Sequence, residues 1–309
     1  MESVCIGVDV GGTNLRFAMV TPDGVVLRRE SQATEIVSGP ASFLSRLLMV
    51  LCRLQNEAEL DGRRLVAVGL GVPGLMSKEG ILNSSVNLLP LQGLNLAAAV
   101  SSGLGLPVTA LNDANASALG EHRFGAARPY GSSLVLTLGT GVGAGLILDG
   151  RLWTGVDGTA GEFGHITVEP NGRPCGCGNR GCLEQYASAT AIAACARRQT
   201  PEEGCLAAAA LAARAFSGDA EAAALFGQAG TYLGIATAGA LNLLNLEAII
   251  LGGGVADSFE LLAPAMRREI LARAFAIPGE RVRILKSELG DDAGVLGSAA
   301  AAFDVLKPG

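Results

Sequence analysis

The chain of 309 residues is long enough for two domains of ordinary size. Hydrophobic residues make up 49% of it, aromatic residues only 4%, and Gly occurs 43 times, which favours an α/β protein with aliphatic cores and many tight turns. The formal net charge of −6 argues against nonspecific binding to nucleic acid, which needs a basic surface, so we expect no nucleic-acid partner.

The amino-terminal segment predicts a cytoplasmic protein whose first element is a β-hairpin. The sequence MESVCIGVDV has neither the basic nor the apolar region of a secretory signal. Apolar runs at 4–10 and 15–20 flank the bend Gly11-Gly12-Thr13. Such a bend can direct several backbone N–H groups at one phosphate, and Asp9 can face a metal ion carried by that phosphate. A bend of this kind is also common without any ligand.

The next elements lead to a polar strand end. We predict a helix over 41–59, a strand over 65–72, a polar loop that contains Asn87, a helix over 94–104 and a strand over 107–111. The last strand delivers Asn112 and Asp113 to the start of another helix. Ligands of open α/β sheets bind at the carboxyl ends of strands, so Asp113 is well placed for chemistry. Asp and Asn are also common at such junctions as purely structural helix caps, so the catalytic and the capping interpretation both remain open.

A second copy of the first hairpin follows at 134–150. It consists of a strand over 134–138, the glycine-rich stretch 139–145, a strand over 146–148 and the turn Asp149-Gly150. Two copies of one unit indicate two related domains that face each other across a cleft. We predict a small α/β domain over 1–113, rejoined by a helix over 295–309, and a large α/β domain over 114–294.

One histidine and three cysteines stand close together after this repeat. His165, Cys175, Cys177 and Cys182 fall within 18 positions of a chain that has two His and seven Cys. Three thiolates and one imidazole complete a tetrahedral zinc site and leave no position for water, so the spacing predicts a structural zinc. Such a clamp would also hold Glu162 and Glu184 in place. The alternative is a glycine-rich turn with reduced cysteines and no metal.

The remainder of the chain predicts helices and two more strands. Helical sequence covers 187–215, with a break near 201–204, and 220–246; strands are predicted over 246–251 and 281–286, and an Ala-rich helix runs to Phe303. The uncharged run 222–246 could span a bilayer by length, but its Gly, Gln, Thr and Asn residues favour a buried helix or a subunit contact, so we expect no membrane partner.

Glycine-rich bends at three strand ends, together with a strand-terminal Asp, suit a phosphoryl-transfer cleft. Phosphoryl transfer depends mainly on positioning and charge neutralisation, which backbone N–H groups and Mg²⁺ supply. The third bend is Gly252-Gly253-Gly254.

The motifs in this order resemble those of the ROK family (repressors, open reading frames, sugar kinases) of the actin, Hsp70 and hexokinase superfamily. The matching segments are Asp9-Val10-Gly11-Gly12-Thr13, Gly71-Val72-Pro73-Gly74, Asn112-Asp113-Ala114-Asn115-Ala116, Leu138-Gly139-Thr140-Gly141-Val142-Gly143, Gly161-Glu162-Phe163-Gly164-His165, Cys175-Gly176-Cys177-Gly178-Asn179-Arg180-Gly181-Cys182-Leu183-Glu184, Leu251-Gly252-Gly253-Gly254 and Ala293-Gly294-Val295-Leu296-Gly297. The resemblance implies two ribonuclease-H-like (actin-like ATPase) domains facing a central cleft, with a zinc-binding loop in the larger domain, and a homodimer formed through that domain.

The resemblance also implies an ATP-dependent kinase for the 6-hydroxyl of a hexose, with glucose the first candidate. Asp113 would be the general base. The sugar would be bound by Asn87, Asn112, Asp113, Glu162, His165 and Glu184. Mg²⁺ would lie near Asp9, the phosphates would contact Gly11, Gly12, Thr13, Thr140 and Gly141, and the adenosine would lie beside Gly253 and Gly254. His165 would bind zinc through one ring nitrogen and the sugar through the other.

Several alternatives remain at this point. The family's Asn-Leu-Pro is one residue longer here (Asn87-Leu88-Leu89-Pro90) and position 14 is Asn where many members carry Lys, so fructose, mannose, allose, N-acetylglucosamine and N-acetylmannosamine are all candidate substrates. Inorganic polyphosphate is an alternative donor. A sugar-sensing protein or a repressor is the alternative of another class, although the family's repressors carry a winged-helix domain ahead of the first strand, and here we expect that strand to begin by Val4.

Overall fold

The structure, a computed structural model, describes residues 1–199 and 206–306, and contains two five-stranded sheets of the same design. The strands of the first sheet are β1 (Glu2–Val10), β2 (Asn14–Val20), β3 (Val26–Ala33), β4 (Arg63–Val72) and β7 (Val108–Asn112). Those of the second are β8 (Ser133–Leu138), β9 (Val142–Leu148), β10 (Arg151–Leu152), β11 (Ala248–Gly252) and β12 (Arg283–Lys286). A small hairpin joins β5 (Leu75–Met76) to β6 (Leu82–Ser84).

The helices lie around these sheets. They are α1 (Pro40–Leu60), α2 (Leu96–Leu104), α3 (Asp113–Phe124), α4 (Glu184–Ala187), α5 (Ala189–Gln199), α6 (Ala208–Phe216), α7 (Ala220–Leu244), α8 (Phe259–Arg273), α9 (Ala276–Arg281) and α10 (Ala293–Val305). The predicted break near 201–204 lies outside the described residues. Among the described residues, no helix has both the length and the apolar character needed to cross a bilayer.

Both sheets have the same strand order and the same strand directions. The orders are β3-β2-β1-β4-β7 and β10-β9-β8-β11-β12. In each sheet the first three strands along the chain pair antiparallel as a meander, and the last two join the opposite edge in parallel. The repeat that the sequence shows in its hairpins therefore extends to whole sheets. The division of the chain at residue 113 stays a prediction.

The predicted elements occur with shifted ends, and several of them differ in extent. The glycine-rich stretch 139–145 is not all bend, because β9 already begins at Val142 and its glycines pair with β8. The predicted strand over 246–251 begins two residues later, after Asn245 ends α7 in a left-handed conformation with φ 54°. Glycine tolerates a strand position where a neighbouring backbone approaches closely: a Cβ on Gly145 would lie 2.8 Å from the carbonyl oxygen of Ala114 on α3.

Each sheet has its own apolar core. Phe17 on β2 and Phe43 and Leu51 on α1 belong to the core of the first sheet, and all three are at most 2% exposed. Phe226 on α7 and Leu251 on β11 belong to that of the second. The helices therefore cover the faces of these sheets, as buried parallel strands require.

Helices α3 and α10 pack against each other with almost no side chain between them. A Cβ atom on Gly297 would lie 1.6 Å from the carbonyl oxygen of Ala116, and one on Gly120 would lie 2.3 Å from that of Ala293. Glycines in β1 and β4 admit α10 to the first sheet in the same way, since a Cβ on Gly7 would lie 1.9 Å from the carbonyl oxygen of Val295. The close crossing fixes α3, and with it Asp113, relative to the first sheet.

Gly297→Ala should therefore be strongly destabilising. The added methyl group cannot fit without moving α10 away from α3, and overpacking of this kind costs about 1–3 kcal/mol or more. The matched control is Gly239→Ala in α7, where a Cβ would meet no atom within 4 Å and the higher helix propensity of Ala should add up to about 1 kcal/mol. Urea denaturation of both variants measures the difference. Equal midpoints for the two variants would contradict the close crossing.

Candidate active site

Asn112 ends β7 and caps α3. Its Oδ1 accepts hydrogen bonds from the backbone N–H groups of Ala114 (2.9 Å) and Asn115 (3.1 Å), and its Nδ2 donates to the carbonyl oxygen of Gly74 at 3.0 Å. Such a cap stabilises a helix by about 1 kcal/mol. Asn112 is therefore the helix cap, and its Nδ2 has a second N–H that can bind a ligand; Asp113 follows it as the first residue of the helix.

Asp113 occupies the first position of α3 and lies in the cleft between the two sheets. Burial raises the pKa of its carboxyl group from 3.8 to about 6, and the nearby charges of Asp9 and Glu162 act in the same direction. The backbone N–H of Ala114, 2.9 Å from Oδ1, partly opposes this shift of the pKa. A carboxylate with this pKa is ionised at neutral pH and is a stronger base than an ordinary Asp.

The cleft around Asp113 has a volume of about 270 Å³ and brings together residues that are far apart in the sequence. Six of the predicted site residues line it: Asp9, Gly11, Gly12, Asn87, Asp113 and Gly253. They come from the first bend, the loop before α2, the start of α3 and the third bend. A ligand bound in this cleft would contact parts of the chain that belong to both sheets.

The structure adds a basic residue that the sequence analysis missed. Arg16 lies opposite Asp9 in the β1-β2 pairing, and its guanidinium is 3.1 Å from Asp9 Oδ2. Burial raises the pKa of Asp9, whereas Arg16 lowers it and Asp291 raises it. Arg16 also donates to the backbone oxygen of Asp291 at 3.1 Å, and is the only basic residue in the described part of the chain that lines the cleft.

A second group of polar side chains surrounds His165. Its Nε2 is 3.9 Å from Glu162 Oε2, and Glu162 is close enough to Asp113 to raise the pKa of that carboxyl group. Burial raises the pKa of Glu162 itself; the charge of His165 lowers it and that of Glu184 raises it. Glu184 accepts a hydrogen bond from the backbone N–H of Val142 at 3.1 Å, which ties it to the second bend.

The other ring nitrogen of His165 faces the cysteines. His165 Nδ1 is 3.6 Å from Cys175 Sγ, and Cys177 Sγ is 3.6 Å from Cys182 Sγ. All four potential ligand atoms, including Cys182 Sγ, lie within 4.8 Å of one another. With zinc–sulfur bonds of about 2.3 Å, the sulfur atoms of a tetrahedral site stand about 3.8 Å apart. The four side chains could therefore hold a metal ion with little rearrangement.

A further cavity of about 270 Å³ adjoins the cleft on the side of the third bend. Gly253 and Gly254 line it together with Lys286 and Asp257, whose side chains form an ion pair at 3.0 Å. Gly253 has φ 79°, and a Cβ there would lie 2.6 Å from the carbonyl oxygen of Leu138, so only glycine fits this turn. The assignment of Gly253 and Gly254 as nucleoside contacts stays a prediction.

Glu121 holds the loop after β12 against α3. This fully buried carboxylate accepts hydrogen bonds from the hydroxyl of Ser287 (2.5 Å) and from the backbone N–H groups of Leu289 (3.1 Å) and Ala126 (2.8 Å). The same helix therefore carries Asp113 at its start and, two turns later, fixes the loop that ends at Asp291. Sequence reasoning missed Glu121, because its partner Ser287 is 166 positions away.

Three of the predicted phosphate contacts do not line the cleft. Thr13 and Thr140 are exposed in their bends, and their backbone oxygens accept from the backbone N–H of Thr34 and the hydroxyl of Thr190, respectively. Gly141 lies beside Glu184 instead, since a Cβ there would be 2.4 Å from Glu184 Oε2. Their assignment as phosphate contacts remains a prediction.

Comparison with known proteins places the chain in a family. The model of the ROK family matches residues 5–305, so the chain belongs to the ROK family. It is 34% identical to a glucokinase from Thermotoga maritima, with 96% of each chain covered, and 30% identical to a xylose repressor from Bacillus subtilis, covering 97% of this chain and 77% of the repressor.

A solved structure is similar in fold and carries ligands. A ROK family glucokinase from Streptomyces griseus in complex with glucose and AMPPNP has a TM-score of 0.80, 32% identity, and coverage of 97% of this chain and 99% of that one. The actin-like ATPase fold and the family implied by the motifs are thereby confirmed. Together with the glucokinase from Thermotoga maritima, this similarity supports a sugar kinase.

Proposed function

We propose that the protein transfers the γ-phosphoryl group of ATP to the 6-hydroxyl of a hexose, with glucose the preferred candidate. The observation that carries the proposal is Asp113, a carboxylate with a raised pKa that lies between a glycine-rich phosphate bend and the polar group of Glu162, His165 and Glu184. A general base of phosphoryl transfer needs this placement, because it must reach the attacking hydroxyl while the phosphate is held opposite.

The residues of the chain have distinct tasks in this reaction. Asp113 accepts the proton of the 6-hydroxyl as its oxygen attacks the phosphorus atom. Glu162, His165 and Glu184 hold the ring hydroxyls, together with Asn87 and the free N–H of Asn112. Gly11 and Gly12 present backbone N–H groups to the phosphates, and their lack of side chains lets the phosphates approach.

Asp9 is suited to hold Mg²⁺. Its buried carboxylate supplies the oxygen ligand that this ion prefers, and the charge that burial disfavours would be neutralised by the ion. Magnesium bound to ATP supplies charge neutralisation at the phosphates. Arg16, whose guanidinium lies 3.1 Å from Asp9, would add a positive charge for the phosphates in the same cleft.

We propose that the cluster of His165 and the three cysteines binds a structural zinc. The separations of 3.6 Å support this, and the donor set of soft thiolates and one imidazole is typical of zinc. With Nδ1 on the metal, Nε2 must carry the proton, so the ring would donate a hydrogen bond to a sugar hydroxyl or to Glu162.

Charge favours ATP over inorganic polyphosphate as the donor. Among the described residues, the cleft is lined by four carboxylates, Asp9, Asp113, Glu121 and Asp291, and by one cation, Arg16. A long polyanion would gain little in such surroundings, because like charges repel. The adjoining cavity at Gly253 and Gly254 offers a place for a nucleoside instead.

We also propose a homodimer. Exposed apolar side chains at Leu243, Phe275 and Ile277 are candidate contacts between the subunits.

The reaction is tested by measuring ADP release with ATP and Mg²⁺ over glucose, fructose, mannose, allose, N-acetylglucosamine and N-acetylmannosamine. The sugar with the highest kcat/KM identifies the substrate, and we expect glucose. If no sugar supports turnover while one of them still raises the melting temperature, the sugar-sensing alternative is correct. Phosphorus NMR of the product shows whether the 6-position is the acceptor.

The pH dependence of kcat/KM should report the pKa of Asp113. The base must be ionised, and its pKa is raised to about 6, so kcat/KM should fall about tenfold per pH unit below this value and level off above it. An Asp with an ordinary pKa would keep the rate constant down to about pH 4. A profile flat from pH 7 to pH 4.5, in a protein shown by circular dichroism to remain folded, would contradict the assignment.

A further inference from the structure

A second and larger cavity lies on the opposite face of α3. It has a volume of about 620 Å³ and lies where β7, at the edge of the first sheet, approaches β10, at the edge of the second. It shares no lining residue with the cleft around Asp113, although the proposed sugar contact Asn112 lies in its wall. Helix α3 separates the two spaces: Ser117 and Glu121 line the cleft, whereas Asn115, Leu119 and Arg123 line the second cavity.

The two spaces differ in the sign of their charge. Lys78, Arg123 and Arg151 line the second cavity, and its one acidic residue, Asp304, is paired with Arg123. Among the described residues, no side chain forms a hydrogen bond or ion pair with the Arg151 guanidinium. In a protein whose formal net charge is −6, the two remaining cations, Lys78 and Arg151, create a local site for an anion.

Polar side chains that can bind a hydroxylated ligand also line the cavity. The hydroxyls of Thr109 and Thr154 lie in the same lining.

We infer that this cavity is a second binding site, for a phosphorylated metabolite of the size of a hexose phosphate. Its volume falls within the range of about 300–1,000 Å³ that ligand sites occupy. The phosphate would bind Arg151 and Lys78, and the hydroxyl-bearing part would reach Thr109 and Thr154. The ligand would contact both sheets and the helix that carries Asp113, so its binding can influence the catalytic cleft. The inference does not depend on which reaction the cleft performs.

The test is calorimetric titration of the full chain with glucose 6-phosphate, and separately with inorganic phosphate. Glucose and a non-hydrolysable ATP analogue are present at saturating concentration, so that binding in the catalytic cleft does not contribute. We expect glucose 6-phosphate to bind with one site per chain, more tightly than inorganic phosphate. No detectable binding of either probe, or loss of binding once the cleft is filled, overturns the proposal.

Two variants locate the site. Arg151→Glu reverses a charge of the cavity, and Ala301→Trp fills its volume; both should weaken glucose 6-phosphate binding at least tenfold while kcat stays within a factor of two. Arg64→Glu, the same charge change at an exposed position of β4 that does not line the cavity, should bind normally. Because Ala301→Trp could also disturb α10, its melting temperature is measured as well. If the two variants give different affinities, the result for Arg151→Glu is the one that counts. Unchanged affinity in Arg151→Glu overturns the site.

Discussion

Asp113→Asn should lose about 10²–10⁴-fold in kcat while the affinity for the sugar changes by less than about threefold. The amide keeps the shape and the hydrogen bonds of the side chain at the start of α3, where the Asp113 carboxylate accepts from the backbone N–H of Ala114. It cannot accept the proton of the 6-hydroxyl. Single-turnover kinetics with ATP and Mg²⁺ measure the chemical step, and calorimetry measures sugar binding.

The same variant should be more stable than the natural protein at pH 8. Burial raises the pKa of Asp113 to about 6, so the ionised form is disfavoured in the folded state by up to about 3 kcal/mol. This cost grows as the pH rises from about 4 to 6, is fully present above that, and is absent below pH 4, where the group is protonated in both states. The melting temperature of Asp113→Asn should therefore exceed that of the natural protein at pH 8 and match it at pH 4.

A control distinguishes this effect from a general response to lost charge. Asp61→Asn removes a carboxylate at the end of α1, where the side chain is 39% exposed and remote from the cleft. It should leave kcat unchanged, and it should not raise the melting temperature above that of the natural protein at pH 8. If Asp113→Asn retains more than a tenth of the natural kcat, another group must accept the proton, and the assignment of the base fails.

The sequence predicted Asp113 because the signal there is local. A buried strand, a polar dipeptide and a helix follow one another without interruption, and the end of such a strand faces the ligand side of the sheet. The cluster of His165 and three cysteines is local in the same sense, since its four residues lie within 18 positions. Residues whose task depends only on their neighbours in the sequence can be found from spacing.

Arg16 could have been predicted from the register of the predicted hairpin. Once Gly11 to Thr13 form the bend, the pairing of β1 with β2 places position 16 opposite position 9. Glu121 could not have been found in this way, because the loop that it holds lies 166 positions further along the chain. Long-range contacts of this kind depend on how the two sheets are arranged, and spacing contains no such information.

The elements that the sequence analysis did not predict have weak patterns. Strand β3 lies at the edge of its sheet and has no buried residue. Without a buried face its sequence, VLRRESQA, shows no alternation of apolar and polar residues. Helix α8 contains Pro264 in its second turn, which argues against a helix when the sequence is read alone. Both are held by their neighbours, β3 by pairing with β2 and α8 by packing on α7.

Removing the proposed zinc should affect sugar binding more than chemistry. His165 belongs both to the metal cluster and, through Nε2, to the polar group that contains Glu162. Backbone hydrogen bonds hold the loop itself, for example from Val168 N–H to the carbonyl oxygen of Gly181 (2.8 Å). The His165 ring, in contrast, has polar contacts only with Cys175 and Glu162 among the described side chains. Without the metal, little else would hold the imidazole in position, so the KM for the sugar should rise at least tenfold.

Cys182→Ser is the variant of choice, because this thiol is fully buried and its loss removes one of four ligands. Loss of a zinc ligand lowers metal affinity by 10–100-fold or more. Elemental analysis should find about one zinc per natural chain and less than a tenth of that in the variant. Cys52→Ser, at an exposed thiol of α1 outside the cluster, should keep both zinc and KM. If the natural protein contains no zinc, or if Cys182→Ser loses zinc with an unchanged KM, the metal does not organise the sugar site.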